Sequence, residues 1–109
     1  MLDYNQFMTF AEKVYKELKK VPKGKVTTYK ALATKLGIKA YRAVGSALKN
    51  NPYAPNVPCH RVIKADGRVG GFMGKLTGEE VARKIVLLRN EGVEVIGGRV
   101  MLNKFLARQ

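Results

Sequence analysis

Apolar side chains near the start of the chain recur at the spacing of one helix face, and lysines fill the opposite face. The apolar positions are Phe7, Phe10, Ala11, Val14, Tyr15 and Leu18. Asp3 followed by Gln6 has the form of a capping box, so we predict that a first helix begins after Asp3. The proline and glycine within residues 21–24 end this helix.

Two short helices are predicted next. Thr27 or Thr28 can cap the first of them, which runs to about Leu36, and Gly37 suits its C-terminal cap. The second spans roughly residues 40–49. Its buried stripe is predicted to be Ala43, Val44, Ala47 and Leu48. Such a pair is typical of a helix-turn-helix, although many helical hairpins show the same pattern.

The middle of the chain lacks helical spacing. Residues 50–58 contain three prolines and three asparagines and are predicted to form a loop. Residues 57–64 are rich in β-branched side chains, which indicates an extended segment. Asp66-Gly67 predicts a tight turn, and the glycine-rich residues 70–75 predict a flexible segment.

A last long helix is predicted from a second capping box, formed by Thr77 and Glu80, to about Asn90, with Gly92 after its end. Its apolar positions are Val81, Ala82, Ile85, Val86 and Leu88. Two apolar stretches within residues 93–102 flank a Gly-Gly pair and predict a small hairpin. The whole pattern predicts a mainly α (α+β) fold, winged-helix-like, with short β-hairpin elements.

The charge of the chain is far from balanced. Its 109 residues hold 21 Lys and Arg against 8 Asp and Glu, a net charge of +13. The length predicts one domain over residues 1–109. A basic domain of this size is a candidate for binding a polyanion, most commonly nucleic acid. The alternative is a lysine-rich surface of the kind found in thermophile proteins.

Cys59 and His60 are the only cysteine and the only histidine. They therefore exclude an internal disulfide and a Cys/His zinc site, and they fit a reducing, intracellular compartment. No apolar run is long enough to cross a bilayer, and residues 1–6 lack the basic start of a secretory signal. We expect a cytoplasmic protein with no metal and no membrane partner.

The adjacent thiol and imidazole are the candidates for chemistry. A thiolate is the reactive form of cysteine, and a neighbouring imidazole can accept its proton. The rigid Pro58 before Cys59 holds the thiol in place. Two alternatives stay open: an isolated cysteine is often an inert buried side chain, and neighbours in an extended strand point to opposite faces.

The second short helix of the pair carries a basic face. Arg42, Ser46 and Lys49 lie at positions i, i+4 and i+7 and share one side. Small residues, including Ala43 and Gly45, let such a helix approach another surface closely. That surface is either a nucleic-acid groove or simply a neighbouring helix.

Residues 58–62, Pro-Cys-His-Arg-Val, match the active-site motif of the O6-alkylguanine-DNA alkyltransferases. Four further segments are similar to that family in the same order, so that the resemblance covers residues 6–95. They are residues 21–29 at the entry to its helix-turn-helix, 42–45 at its arginine finger, 51–52 at its Asn-Pro hinge and 87–92 around its glutamate. Several ordered pieces make this signal specific.

The resemblance implies a direct transfer. Cys59 would take the alkyl group from guanine O6 as nucleophile, and His60 would act through a water as its base. Glu91 would orient His60, and Asn51 would shape the turn that couples the DNA-binding helix to the active site. One displacement leaves a thioether on the cysteine, so each molecule acts once, with no metal and no organic cofactor.

The resemblance also implies a partner, double-stranded DNA containing O6-alkylguanine, bound through its minor groove. Tyr29 and Arg42 would assist flipping of the damaged nucleotide, which is needed because a stacked O6 cannot meet a thiolate in line. Further DNA contacts are assigned to Thr28, Ala43, Ser46 and Lys49. The substrate pocket is assigned to Pro58, Arg61, Phe72, Met73 and Gly74.

The chain departs from the family in three ways. We expect that this chain lacks the additional N-terminal domain that full-length members carry. Phe72 stands where many members have tyrosine, and Met73 replaces a small polar residue. Residues 75–78 resemble an insertion.

These departures leave other functions open. One is a monomeric alkyltransferase-like lesion sensor, which binds alkylated DNA and recruits other repair proteins. Such proteins typically have tryptophan or alanine in place of the cysteine, so Cys59 argues for transfer. The other is a basic structural DNA-binding domain with an inert thiol.

Overall fold

Five α-helices, one 3₁₀ turn and a two-stranded sheet make up residues 8–107, the part of the chain that the computed structural model describes. In chain order they are α1 (Phe10–Leu18), β1 (Thr27–Thr28), α2 (Tyr29–Lys35), α3 (Tyr41–Lys49), the Cys59–Arg61 turn, β2 (Val62–Ile63), α4 (Glu79–Asn90) and α5 (Leu102–Phe105). The predicted mainly α fold with a helix-turn-helix is confirmed. None of these helices is both long and apolar enough to cross a bilayer.

Helix α1 begins later than predicted. Thr9 is its N-cap: the Thr9 hydroxyl accepts from the backbone N–H of Glu12, and the Glu12 carboxylate accepts from that of Thr9. This capping box satisfies two of the free N–H groups at the helix start, which explains why the helix begins at Phe10. Asp3, Gln6 and Phe7 lie outside the described residues.

The helix-turn-helix follows its predicted boundaries. The Thr28 hydroxyl accepts from Ala31 N at 3.0 Å and caps α2. At the other end, Gly37 has a φ of +71°, and Ile38 N donates to Ala33 O at 2.9 Å. This is the Schellman arrangement, which needs a residue that tolerates the left-handed region.

Two apolar clusters form the core. The first lies under α1, α2 and α3, and α3 contributes Val44, Ala47 and Leu48 to it. Ala43, predicted to be buried with them, is only half-buried. The second cluster lies under α4 and the C-terminal segment. It consists of Val26, Ile63, Val69, Leu88, Val93, Val95, Val100 and Phe105.

The sheet joins distant parts of the chain in parallel rather than as a hairpin. Thr27 pairs with Val62 and Thr28 pairs with Ile63. As a result, α2 begins directly after one strand, and the Cys59–Arg61 turn ends directly before the other.

Residues 57–64 were predicted to be extended, but they are not extended throughout. Cys59 N donates to Val57 O at 2.8 Å and Arg61 N donates to Pro58 O at 2.9 Å, so the chain turns before β2. A 3₁₀ turn rotates successive side chains by about 120°, whereas a strand alternates them between two faces. The turn allows neighbouring side chains to reach the same partner on α4, which outweighs the β propensity of this segment.

The capping box predicted at Thr77 is wrong. Gly78, with a φ of +87°, is the N-cap of α4, and no side chain caps this end. Glu79 and Glu80 lie in the first turn instead, where negative charge interacts favourably with the helix dipole. The predicted end is confirmed: Val93 N donates to Leu88 O at 3.0 Å around Gly92.

The predicted hairpin within residues 93–102 is reduced to its turn. Ile96 and Arg99 exchange N–H···O bonds of 3.0 and 3.1 Å around Gly97-Gly98, but neither side extends into a strand. Residues 102–105 form α5 instead, because Phe105 is buried in the second cluster.

The segment 70–75, predicted to be flexible, contains a defined turn. Phe72 and Lys75 exchange N–H···O bonds of 2.8 and 2.9 Å. Met73 and Gly74 form its tip with positive φ angles of +51° and +82°. Among residues 8–107, Met73 is the one non-glycine residue with a positive φ.

Candidate active site

The only thiol lies on the wall of a cavity of about 330 Å³ between the helix-turn-helix and the segment 71–76. The cavity is lined by Tyr29, Gly45, Ser46, Leu48, Lys49, Cys59, Gly71, Phe72, Met73, Gly74, Lys75 and Leu76. Seven of the residues predicted to be functional are in this lining. The structure therefore brings together side chains from α2, α3 and the Cys59–Arg61 turn.

Cys59 is 5% exposed, and its Sγ lies 4.0 Å from Met73 Sδ. Burial raises the pKa of the Cys59 thiol, while a hydrogen bond from Asn51 and the charge of Lys84 oppose that rise. The net direction is upward, so the resting thiol is protonated at neutral pH. A reaction at this sulfur needs a group that accepts its proton.

Glu91 lies behind the thiol and binds two neighbouring residues of the turn. Arg61 donates from Nε to Oε1 at 2.9 Å and from Nη2 to Oε2 at 2.6 Å, and its Nη1 donates to Val21 O at 2.8 Å. Glu91 is the C-cap of α4, where the helix dipole disfavours a carboxylate. The bidentate contact with Arg61 compensates for that position.

His60 is 2% exposed, and its Nε2 lies 3.1 Å from Glu91 Oε2. The two atoms are close enough for a hydrogen bond, but their relative orientation does not meet hydrogen-bond geometry. Among residues 8–107, Nε2 of His60 has no other hydrogen-bond partner. A small rotation of the ring would complete the bond. His60 is therefore held beside the carboxylate, ready to be stabilised by it on protonation.

The charges of the pair follow from their surroundings. Burial lowers the pKa of His60 and outweighs the opposing effect of Glu91, so the imidazole is neutral at neutral pH. Burial also opposes ionisation of Glu91, but the hydrogen bonds from Arg61 and the proximity of His60 outweigh it and lower the pKa of the carboxyl. A protonated thiol, a neutral imidazole and a carboxylate are the states required for general-base activation of a nucleophile.

Asn51 braces the loop that carries the thiol. Its Nδ2 donates to Val57 O at 2.9 Å, and its Oδ1 accepts from Tyr53 N at 2.9 Å. The side chain is 4% exposed, so both bonds are shielded from water. The loop between α3 and Cys59 is thereby fixed from within.

Lys84 was not among the residues predicted to be functional. Its side chain is 1% exposed, and Nζ donates to the carbonyls of Val62, Val69 and Gly71 at 2.7, 2.5 and 3.0 Å. Burial lowers the pKa of Lys84 to about 7. The helical spacing of the sequence contained a signal for this burial, because position 84 falls between Val81 and Leu88 on the inner face of α4.

Several predicted residues lie outside the cavity lining. Arg61 holds Glu91, and Pro58 is buried at the start of the turn. Thr28 is buried with its hydroxyl committed to the cap of α2, so its side chain offers no free surface. Arg42 and Ala43 lie on α3 next to the lining residues, and Arg42 is exposed.

Tyr29, by contrast, is half-buried and lines the cavity. Burial, followed by the nearby Cys59, raises the pKa of its hydroxyl, which therefore stays protonated. Across residues 8–107, no three His, Cys, Asp or Glu side chains lie close enough together to hold a metal ion.

Known proteins resemble this chain over most of its length. The pattern of the 6-O-methylguanine DNA methyltransferase, DNA binding domain, matches residues 9–93. A DNA base-flipping protein of Thermus thermophilus is 43% identical over 91 residues, covering 84% of this chain and 58% of that protein. The chain spans about half the length of the curated relatives it matches.

Two solved structures share the fold. The O6-methylguanine-DNA methyltransferase of Pyrococcus kodakaraensis strain KOD1 is 42% identical with a TM-score of 0.68, covering 84% of this chain and 51% of that chain. S. pombe Atl1, in complex with damaged DNA containing O6-carboxymethylguanine, is 27% identical with a TM-score of 0.81. That match covers 99% of this chain and 100% of Atl1.

Proposed function

Because this chain belongs to the 6-O-methylguanine DNA methyltransferase family through its DNA-binding domain, we propose that it acts in DNA repair by direct alkyl transfer. The chain takes the alkyl group of an O6-alkylguanine in duplex DNA onto Cys59. The observation that carries this proposal is the position of the thiol. It lies on the cavity wall, and the next residue in the chain is the neutral His60, which is held beside the carboxylate of Glu91.

The reaction is a single displacement. His60 accepts the thiol proton of Cys59 through a water, and Glu91 stabilises the imidazolium that forms. The thiolate attacks the alkyl carbon, and the bond from that carbon to O6 breaks with its electron pair on the guanine. The guanine recovers a proton and Cys59 keeps a stable thioether. No group regenerates the thiol, so each molecule reacts once.

The damaged base reaches Cys59 only by leaving the helix stack. The thiol is buried, so a guanine within a duplex cannot bring its alkyl carbon to the roughly 3–3.5 Å needed for attack. Tyr29 lines the cavity and Arg42 is exposed on α3. We assign Tyr29 to crowding the phosphate of the extruded nucleotide and Arg42 to filling the gap that it leaves.

A second candidate function is a lesion sensor that flips the alkylated base without repairing it. It is favoured by the match to Atl1 over the whole of that chain. It is also favoured by Met73, whose sulfur lies against the thiol, and by the raised pKa of Cys59. Cys59 itself favours transfer, because binding alone does not require a thiol.

Intact-protein mass spectrometry separates the two functions. The protein is mixed with a duplex that carries one O6-methylguanine, and Cys59→Ser serves as control. A stoichiometric gain of one methyl group, mapped to Cys59, supports transfer. An unchanged mass with selective binding of the alkylated duplex supports the sensor, and an unchanged mass with equal binding of alkylated and ordinary duplex refutes both.

A further inference from the structure

A second depression of about 700 Å³ lies beside the active-site cavity. The two share Tyr29, Gly71 and Leu76 as a common wall. No residue of α3 lines the second depression, whereas four residues of α3 line the cavity. We call this second depression the side groove. It lies on the flank of the cavity away from the helix that the family resemblance assigns to DNA.

The side groove is basic. Lys64, Arg68 and Arg99 line it, and its lining contains no acidic residue. The nearby Asp66 forms an ion pair with Arg68, with 2.7 Å between Nε and Oδ2. Within residues 8–107, Lys64 and Arg99 form no ion pair, and Arg99 reaches only the backbone oxygen of Asp66 at 3.4 Å. Two cations are thus left to attract an anion.

Part of the groove wall is bare backbone. Gly97 and Gly98 line the groove, and a Cβ at either position would meet no other atom within 4 Å. Surfaces without side chains let an extended polymer approach closely, and their N–H groups suit phosphate oxygens.

We propose that the side groove holds the phosphate backbone of the strand that carries the extruded nucleotide. An extruded nucleotide enters the cavity with one phosphate on each side. Lys49 of α3 serves the backbone on one side, and Lys64 and Arg99 serve it beyond Tyr29 on the other. This inference rests on the proposed DNA binding but makes a separate claim about which residues carry it.

Salt-dependent binding tests the charge. The affinity for a duplex with one O6-methylguanine is measured at several salt concentrations for the unaltered protein, Lys64→Ala, Arg99→Ala and the control Lys23→Ala. Lys23 is exposed, and its neighbour Gly24 packs against the C-terminal end of α4, outside the groove lining. Each lost phosphate contact lowers the slope of log K against log salt by about 0.9. We expect that loss in the two groove variants and not in the control.

Duplexes with one shortened arm test the direction. Shortening one arm, on either side of the lesion, removes phosphates from one flank at a time. We expect one of the two truncations to weaken binding by the unaltered protein several-fold, and to weaken binding by Lys64→Ala and by Arg99→Ala less, because each variant has already lost one of the two contacts on that flank. Circular dichroism of each variant checks its fold, since all three altered side chains are exposed.

The outcomes keep the two claims apart. If the unaltered protein shows no salt dependence and no preference for alkylated duplex, the proposed function fails. If it shows both, but the groove variants match Lys23→Ala in slope and in response to each truncated arm, the groove inference is wrong while the function stands.

Discussion

The burial of Lys84 behind the cavity can be tested through the pH dependence of the free energy of unfolding. Burial lowers its pKa from 10.5 to about 7 in the folded protein. Between these values the folded state has released a proton that the unfolded chain still binds. Because the unfolded state then binds more protons, the free energy of unfolding rises with pH, by about 2 kcal/mol between roughly pH 7 and 9. Below the folded pKa this contribution is absent.

The variant Lys84→Met removes the titration and keeps an unbranched side chain of similar length. It leaves three buried carbonyls without a donor, at about 1–3 kcal/mol each, partly offset by removal of a buried charge. We therefore expect a net loss of a few kcal/mol in the free energy of unfolding near pH 7. The gap to the unaltered protein should widen by about 2 kcal/mol up to roughly pH 9.

Urea unfolding followed by circular dichroism at several pH values measures both quantities. Arg83→Met is the matched control, because Arg83 precedes Lys84 on α4 with a mainly exposed side chain. Its free energy of unfolding should stay within about 0.5 kcal/mol of the unaltered protein at each pH. A gap for Lys84→Met that stays constant with pH, or that widens equally for Arg83→Met, would refute the reasoning.

Three further variants probe the site. Arg61→Met removes the bidentate partner of Glu91, so stability should fall by about 1–3 kcal/mol and single-turnover transfer should slow; an unchanged rate would separate Arg61 from the chemistry. Asn51→Ala loses one buried and one partly buried hydrogen bond, and thermal unfolding should show a loss of about 2 kcal/mol. Met73→Gly removes a side chain that lies against Cys59, so iodoacetamide should alkylate the thiol several-fold faster. Stability should not fall, because glycine adopts the positive φ of this position without strain. An equal alkylation rate would show that Met73 does not cover the thiol.

Local signals in the sequence were sufficient for α2, α3 and the end of α4, but not for the turn that carries Cys59. Thr28 and Gly37 mark the ends of α2, and Gly92 marks the end of α4, because each satisfies backbone groups within its own segment. The Cys59–Arg61 turn depends on Glu91, which lies 30 residues away from Arg61. No local propensity contains that contact, so the β-branched neighbours gave a misleading prediction of extended chain.

The same reasoning explains Lys84 and Thr77. A lysine in an amphipathic helix is usually predicted to be solvent-exposed. The three carbonyl acceptors of Lys84 belong to β2 and to residues 69–71, which only the tertiary fold brings together. Thr77 with Glu80 satisfied the spacing of a capping box, but the positive φ of Gly78 starts α4 one residue later. Spacing alone does not show which residue takes the cap position when a glycine follows.

The short parallel sheet relates the helix-turn-helix to the thiol with little freedom between them. Thr28 pairs with Ile63 and also caps α2, while Val62 follows the Cys59–Arg61 turn directly. The two residue pairs therefore connect the start of α2 directly to the turn that holds Cys59. Within that turn, Cys59 lines the cavity while His60 and Arg61 contact Glu91 outside it. One 3₁₀ turn thus presents Cys59 to the cavity and its two neighbours to Glu91, so three consecutive side chains occupy different surroundings without competing for the same space.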